Sequence, residues 1–320
     1  MFMKRREFLM QGALTAAATV GTKFSAGATP TQLIPRRPLG RTGEHLSLIG
    51  FGGIVVMNEG TNSANNVVAE AVDRGVNYFD VAPSYGNAQE RLGTALAPYR
   101  KDCFLACKTE GRMKDDSRKQ LEDSLRLLKT DHVDLYQFHA LTKMADLDKV
   151  LGPGGAMETM EAAKKEGKIR HIGFSVHSAE TALAAMDRYD FDTVLFPINF
   201  VLFSQANFGP QILKRAQEKG MGILALKAMA KTTWSADQKQ NHSEPKCWYQ
   251  PAAFPQEASM SLRWTLAHPV TAALPPGDER YFRLAMDVAQ HYTPLERSEE
   301  QALIQRAAGV EPIFKLGNDV

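Results

Sequence analysis

The sequence predicts an α/β fold, a single-domain (β/α)8 TIM barrel, and three observations support that prediction. Short apolar segments alternate with segments of helical periodicity from residue 46 onward. The apolar segments are hydrophobic almost without interruption, which is typical of parallel strands covered by helices. Eight such segments occur, the number that closes into a barrel. An open doubly wound sheet is the alternative, but it requires a G-x-G-x-x-G turn after the first strand, and "GFGGIVVMNEG" lacks that spacing.

The predicted elements follow one another in a regular order along the chain. The strand candidates are LSLIGFGG, VNYFDVA, CFLACKT, VDLYQFHA, IRHIGFSV, TVLFPIN, GILALKAM and VTAALPP. The helix candidates between them are SANNVVAEAVDRG, AQERLGTALAPY, DSRKQLEDSLRLLK, AMETMEAAKKEGK, SAETALAAMDRY, GPQILKRAQEKG and EASMSLRWTLAHP. Ser117 and Gln120 fit a capping box at the start of the third helix candidate. Gly75, Gly167 and Gly220 occupy positions expected for helix C-caps.

One long irregular segment, residues 231–256, separates the seventh strand candidate from its helix. A loop of this length in a compact domain is usually functional or disordered. Its aromatic residues fit two interpretations, the lining of an apolar substrate pocket or an exposed lid or subunit contact: Trp234, Trp248, Tyr249 and Phe254. The sequence does not decide between them.

The first 28 residues have the composition of an export signal and not of a folded domain. Paired arginines in "KRREFLM" precede the apolar stretch "QGALTAAATVG", and "AGA" at 26–28 offers small residues to a peptidase. This order resembles a twin-arginine signal, with a chance basic N-terminus as the alternative. We therefore expect residues 1–28 to engage the twin-arginine export machinery and be removed, leaving a periplasmic barrel of residues 29–320. The apolar stretch is too short for a stable membrane anchor.

Charge and cysteine content exclude several classes of function. The formal net charge is +2, and residues 1–28 carry four basic side chains and one acidic side chain, so the remainder is slightly acidic. No basic field for nucleic acid or anionic lipid is therefore expected. The three cysteines, Cys103, Cys107 and Cys247, form no C-x-x-C motif, and we predict structural thiols and no metal site.

Ionisable side chains end three successive strand candidates. Asp80 ends the second strand, Lys108 the third and His139 the fourth, and Tyr85 lies in the loop after Asp80. In a barrel of this type, reactive groups lie at the carboxyl ends of the strands. Each residue alone has an ordinary structural interpretation as a turn former, a solvated head group or a satisfied polar side chain. Their convergence on one barrel mouth instead predicts an active site.

The four side chains together suggest proton donation to a developing oxyanion. A phenol is a weak acid with a pKa near 10, and a nearby ammonium lowers that pKa. Lys108 would supply this charge to Tyr85, and Asp80 would keep Lys108 protonated. A hydrogen bond from His139 would orient the substrate oxygen beside the phenol.

These residues and their flanking segments resemble the aldo-keto reductase family. The similarity extends from about residue 36 to about residue 295 through "RPLGRTGEHLSLIGFGG", "GVNYFDVAPSYGNAQERLGTAL", "CKTEGR", "LRLLKTDHVDLYQFHAL" and "KIRHIGFSVHS". The resemblance implies a (β/α)8 barrel that binds NADP(H), with NAD(H) left open, and reduces a small-molecule aldehyde or ketone. It also implies that Asp80, Tyr85, Lys108 and His139 are the catalytic residues.

The resemblance also assigns residues at the nicotinamide end of the cofactor. Ser175 and Asn199 take the positions that contact the nicotinamide amide, with His177 as a further candidate. Leu195 stands where a glutamine is frequent, and Leu226 where an aromatic residue often stacks on the ring.

At the adenosine end, the resemblance points to the segment "PPGDERYFRLAMD". Arg283 fits the family's arginine position, and Arg280 lies nearby. Two arginines bind a 2′-phosphate through paired hydrogen bonds, whereas solvated charges on a helix face are the alternative. Asp287 would disfavour a phosphate unless it faces the adenine amine.

Two further classes of function remain as alternatives. One is a dinucleotide-binding barrel that acts as a redox sensor or accessory subunit with little turnover. The other is a metal-dependent hydrolase using His139, His171 and His177, which Lys108 disfavours because its positive charge repels a divalent cation.

Overall fold

The barrel sheet contains eight parallel strands, as the sequence predicts. The computed structural model describes residues 32–252 and 254–316; the predicted signal, residues 1–28, lies outside the described residues. The strands are β1 (Arg36–Pro38), β2 (His45–Ser47), β3 (Phe51–Gly52), β4 (Tyr78–Asp80), β5 (Phe104–Thr109), β6 (Val133–Phe138), β7 (Ile169–Ser175), β8 (Thr193–Pro197), β9 (Gly222–Leu226), β10 (Ala230–Thr233), β11 (Tyr249–Pro251) and β12 (Ala272–Leu274). Strands β3 to β9 and β12 form the barrel sheet, in the order β12-β9-β8-β7-β6-β5-β4-β3.

Two backbone hydrogen bonds join the ends of this sheet. The Gly50 N–H donates to the Ala273 carbonyl, and the Ala273 N–H donates to the Leu48 carbonyl, both at 2.9 Å. Residues just before β3 therefore pair with β12 in parallel. This closure confirms the (β/α)8 barrel and excludes the open sheet.

Helices follow the barrel strands and cover the outer face of the sheet. They are α1 (Thr61–Asp73), α2 (Ala88–Ala95), α3 (Lys114–Leu127), α4 (Met144–Leu151), α5 (Ala156–Lys165), α6 (Ala179–Arg188), α7 (Phe200–Gln205), α8 (Pro210–Glu218), α9 (Ala236–Asn241), α10 (Pro255–Ala267), α11 (Glu279–Gln290) and α12 (Arg297–Ala307). All seven helix candidates are confirmed, whereas α4, α7, α9, α11 and α12 are additional. None of the helices in the described part of the chain has the length and apolar character needed to cross a bilayer.

A hairpin of β1 and β2 plugs the amino-terminal end of the barrel. Leu39 and Leu46 of this hairpin are fully buried and belong to the same apolar cluster as side chains that point into the barrel. Gly40 has a φ of +51°, and a Cβ atom there would lie 2.3 Å from the Gly222 nitrogen. The hairpin therefore needs glycine for its close approach to β9.

The predicted capping box at Ser117 is wrong, because α3 begins three residues earlier. Met113 is the N-cap, and Ser117 is buried inside the helix. The Gln120 side-chain oxygen instead accepts hydrogen bonds from the Thr109 hydroxyl and from the backbone N–H groups of Glu110 and Gly111. Gln120 therefore supports the loop after β5.

The predictions for the cap glycines and the cysteines are confirmed. Gly75, Gly167 and Gly220 all have positive φ angles directly after helices, as C-cap glycines require. The three cysteines are buried free thiols. The long segment after β9 is not irregular throughout, because β10 and β11 form an antiparallel hairpin and α9 lies between them.

Candidate active site

The four predicted catalytic residues line one cavity at the carboxyl end of the barrel. Asp80 is the last residue of β4, Lys108 lies next to the end of β5, and His139 follows β6. Tyr85 lies in the loop between β4 and α2. The cavity has a volume of about 260 Å³ and also contains Ser175.

A buried ion pair between Asp80 and Lys108 forms the floor of this cavity. Both side chains are almost inaccessible to solvent, and the Lys108 Nζ donates to Asp80 Oδ1. The second carboxylate oxygen accepts hydrogen bonds of 3.1 Å from the Tyr78 hydroxyl and the Gln137 amide. The carboxylate is therefore held by three donors, which is what a buried charge requires. Nothing in the sequence pattern singled out Tyr78 or Gln137.

The ion pair keeps Lys108 charged. Burial disfavours the ammonium, but the Asp80 carboxylate outweighs it and raises the pKa of Lys108 well above its usual value. The Lys108 Nζ lies 5.1 Å from the centroid of the Tyr85 ring. The predicted chain of carboxylate, ammonium and phenol is therefore present in the structure.

The pKa of Tyr85 nevertheless differs from the sequence-based expectation. Burial raises it, Lys108 lowers it and Asp80 raises it again, and the net result is a pKa above the usual value of 10. Lys108 alone therefore does not make this phenol a stronger acid. Tyr85 remains protonated at neutral pH and keeps a proton available for donation.

His139 is a neutral imidazole beside the phenol. Burial and the Lys108 charge lower its pKa to about 3. Its ring meets the Tyr85 ring edge to face, with centroids 5.8 Å apart. Its Nδ1 lies 3.2 Å from Glu110 Oε1, and because a carboxylate only accepts, the ring hydrogen belongs on Nδ1. In that tautomer Nε2 accepts a hydrogen bond, and the predicted donor role of His139 requires the other tautomer.

The predicted nicotinamide contacts occupy two different environments. Ser175 ends β7 in the cavity, and its Oγ accepts a 2.8 Å hydrogen bond from the Ala140 N–H, so its own hydrogen can be donated to a ligand. Asn199 instead caps α7 by accepting from the Leu202 N–H and donates to the Lys227 carbonyl. Asn199 supports the loop after β9, and its contact with a cofactor stays a prediction.

The two predicted phosphate-binding arginines lie on the exposed face of α11. Arg280 pairs with Asp278 at its own helix terminus, and Arg283 pairs with Glu70 and Glu279. A phosphate at this position would have to replace these carboxylates. Replacing these carboxylates by a phosphate costs little free energy, because exposed ion pairs contribute little to stability. Phosphate binding by the arginines stays a prediction.

The long segment after β9 contributes one wall of the cavity. Trp248 and Tyr249 line it, whereas Trp234 stacks on His242 and Phe254 is exposed. Two of the four aromatic residues therefore line the pocket, as one of the two interpretations predicts.

Lys227 also lines this wall and is not among the residues predicted from the sequence. Its position directly after a barrel strand is the signal that could have identified it.

The residues present fit the nicotinamide end of a dinucleotide. Ser175 offers a hydroxyl donor, and Leu195 and Leu226 offer apolar surface in the same cavity. These are the interactions that an amide on an aromatic ring requires.

Comparison with known proteins agrees with this geometry. The family model described as "Aldo/keto reductase family" matches residues 49–275. This chain belongs to the aldo/keto reductase family. Its barrel is similar to the aldo-keto reductase AKR11C1 from Bacillus halodurans in its holo form, with a TM-score of 0.67 over 88% of this chain and 99% of that chain. At 22% sequence identity, that similarity shows the shared fold.

Two known proteins are similar to this chain in sequence. The uncharacterized oxidoreductase YqkF of Bacillus subtilis (strain 168) is 34% identical over 44% of this chain and 48% of its own length. L-galactose dehydrogenase of Arabidopsis thaliana is 29% identical over 62% of this chain and 66% of its own length. The chain thus spans about half the length of the first of these relatives and about two thirds of the second.

Proposed function

We propose that this aldo/keto reductase is an NADPH-dependent oxidoreductase that reduces an aldehyde or ketone to an alcohol. The observation that carries the proposal is the arrangement of Tyr85 beside the Asp80–Lys108 pair, with His139 in the same cavity. The names of its relatives, an oxidoreductase and a dehydrogenase, support the same reaction class. They do not favour a binding protein without turnover.

The chain's own residues account for proton transfer and orientation. When bound, NADPH supplies the hydride. Ser175 and the leucine surface would hold the nicotinamide, and Arg280 and Arg283 would contact a 2′-phosphate. As negative charge develops on the carbonyl oxygen, Tyr85 donates its proton, because an alkoxide is far more basic than a phenolate. Lys108 then stabilises the resulting phenolate, and Nε2 of His139 accepts a hydrogen bond from the product hydroxyl.

Substitution of Tyr85 tests this proposal directly. Tyr85→Phe should lower kcat for NADPH-dependent reduction of aldehydes by about 100-fold or more, since general acid catalysis contributes about that much. Tyr99→Phe is the matched control, because Tyr99 is a partly buried tyrosine that does not line the cavity. NADPH oxidation at 340 nm gives the rate, and thermal melting checks the fold. Equal activity of Tyr85→Phe and wild type would refute the assignment.

Cofactor choice is tested at the arginines. We expect the double substitution of Arg280 and Arg283 by Ala to reduce the ratio of kcat/KM for NADPH to that for NADH by about tenfold, since charged hydrogen bonds to the 2′-phosphate would be lost. An unchanged ratio would assign both arginines to surface ion pairs alone.

We also propose export through the twin-arginine pathway, with removal of residues 1–28 and a periplasmic location. The order of basic, apolar and small-residue segments at the N-terminus supports this proposal. Cell fractionation and intact-mass measurement test it. Cytoplasmic protein that retains its N-terminus would contradict it.

A further inference from the structure

Lys227 is a cation in the active-site cavity with an unusual backbone conformation. It follows the last residue of β9 and has a φ of +62°, which a residue other than glycine rarely adopts. Its carbonyl accepts hydrogen bonds from the Asn199 amide and the Ala230 N–H, which hold the chain in this conformation. Strained residues of this kind occur mainly at ligand sites.

The Lys227 ammonium differs from the other cavity lysines in having no ionic partner among the described residues. Lys108 pairs with Asp80, and Lys246 pairs with Glu59 at 2.8 Å. Lys227 instead contacts aromatic faces, with its Nζ 5.1 Å from the Trp248 ring centroid and 4.6 Å from that of Tyr249. These contacts stabilise the cation only in part. An anion in the cavity would supply the missing partner.

The cavity around Lys227 offers little competing negative charge. Among the lining residues that the structure describes, Asp80 is the one carboxylate, and Lys108 neutralises it. His139 and His177 line the same cavity as Lys227. Burial lowers the pKa of both imidazoles, and the Lys227 charge lowers it further. An anionic group beside Lys227 would thus share the cavity with the carbonyl oxygen near Tyr85.

We propose that Lys227 binds the carboxylate or phosphate group of the carbonyl substrate, so that the enzyme prefers anionic aldehydes or ketones to neutral ones. This inference rests on the proposed reductase function. The cavity of about 260 Å³ also receives the nicotinamide in the proposed function, so it leaves room for only a small substrate. In that space, the anionic group anchors the molecule at Lys227 and leaves its carbonyl for Tyr85.

The experiment compares 4-formylbenzoate with its neutral methyl ester. In Lys227→Met, KM for 4-formylbenzoate should rise at least tenfold, with kcat almost unchanged, and kcat/KM for the ester should change less than twofold. Lys246→Met is the matched control, because that lysine lines the same cavity but is already paired with Glu59. We expect Lys246→Met to retain the wild-type preference for the anion.

Three outcomes would overturn the assignment. One is a wild-type enzyme that reduces the ester as well as the anion, which leaves the reductase function intact. Another is an equal loss for both substrates in Lys227→Met. The third is a Lys227→Met variant that binds NADPH more weakly but keeps the preference for the anionic substrate. NADPH binding is measured by fluorescence without substrate, and this result would assign the Lys227 ammonium to the cofactor's phosphates.

Ligand binding and the pH profile test the anion site even if the aldehydes are not reduced or the variant does not fold. Calorimetric titration with 4-formylbenzoate reports binding without catalysis, so a tenfold loss in Lys227→Met supports the anion site even if neither aldehyde is reduced. That inactivity would refute only the reductase function. Unchanged affinity would refute the anion site.

The pH profile of the wild type needs no variant. Partial burial lowers the pKa of Lys227 to about 8, so preference for the anion should fall as pH rises through about 8. The neighbouring titratable groups do not change charge there: His139 and His177 have pKa values of about 3, Cys247 of about 11, and Tyr249 well above 10. A preference that stays constant between pH 7 and 9 would contradict the role of Lys227.

Discussion

The floor and the wall of the active-site cavity each present a lysine, and the two are in opposite electrostatic states. On the floor, the buried Lys108 has Asp80 as its partner, and its pKa is raised. On the wall, Lys227 faces aromatic rings and has no ionic partner in the described part of the chain, and burial lowers its pKa to about 8. The difference shows that the partner decides the state of a lysine more than burial does.

This contrast separates two tasks within one site. Lys108 has its charge fully compensated, so it polarises Tyr85 without attracting a ligand anion. Lys227 keeps an unsatisfied charge, which suits ligand binding. A cavity with both can orient a charged substrate and still protonate its carbonyl oxygen.

Removal of each lysine charge should give the largest difference in the free energy of unfolding between the two sites. Lys108→Met should reduce the free energy of unfolding by about 3–5 kcal/mol, because it leaves the Asp80 carboxylate buried and unpaired. Lys227→Met should reduce it by no more than about 1 kcal/mol, because only cation–π contacts are lost and the cost of burying an unpaired ammonium is removed. Urea unfolding followed by circular dichroism measures both. Similar losses in the two variants would contradict the comparison.

An alkaline pH should change the stability contributed by the two lysines in opposite directions. The pKa of Lys227 is lower in the folded protein than in the unfolded chain, so between pH 8 and 10.5 the unfolded state binds more protons and the folded state gains stability as pH rises. The stability of the wild type relative to Lys227→Met should therefore increase by at most about 1.4 kcal/mol per pH unit in this window.

The pH dependence of stability that Lys108 contributes has the opposite sign. Its raised folded-state pKa contributes stability that is present below its unfolded pKa and is lost as pH rises through the folded value. Urea titrations at several pH values test both lysines. A parallel pH dependence of wild type and Lys227→Met would show that Lys227 does not titrate as described.

Removal of a neighbouring hydrogen-bond donor should destabilise the floor less than removal of Lys108 does. Tyr78→Phe removes a hydrogen bond to the Asp80 carboxylate and should reduce the free energy of unfolding by about 1.5–3 kcal/mol. Tyr136→Phe is a matched control, because Tyr136 is equally buried and its hydroxyl has no hydrogen-bond partner among residues 32–252 and 254–316. Thermal or urea unfolding measures the difference. An equal loss in the two variants would mean that Tyr78 contributes packing and not charge stabilisation.

Much of the barrel could be predicted from the sequence because the periods of its strands and helices are local. The same holds for Asp80, Lys108 and His139, whose positions follow from where each strand ends. The capping box at Ser117 failed because the helix gains one more turn at Lys114, where a polar sequence leaves the start ambiguous. Lys227 was overlooked because a lysine after a strand is usually solvated, and only the packing of Trp248 and Tyr249 makes this one different.

The sequence by itself determined the order of strands and helices, the family, and the set of ionisable groups at the barrel mouth, because these depend on periodicity and on residues close together in the chain. Only the tertiary structure decided which charges are paired, including the pair of Arg283 with Glu70. It also decided that the pKa of Tyr85 is raised although Lys108 lies nearby. Those properties depend on burial and on contacts between residues far apart in the chain, and both arise only when the barrel closes.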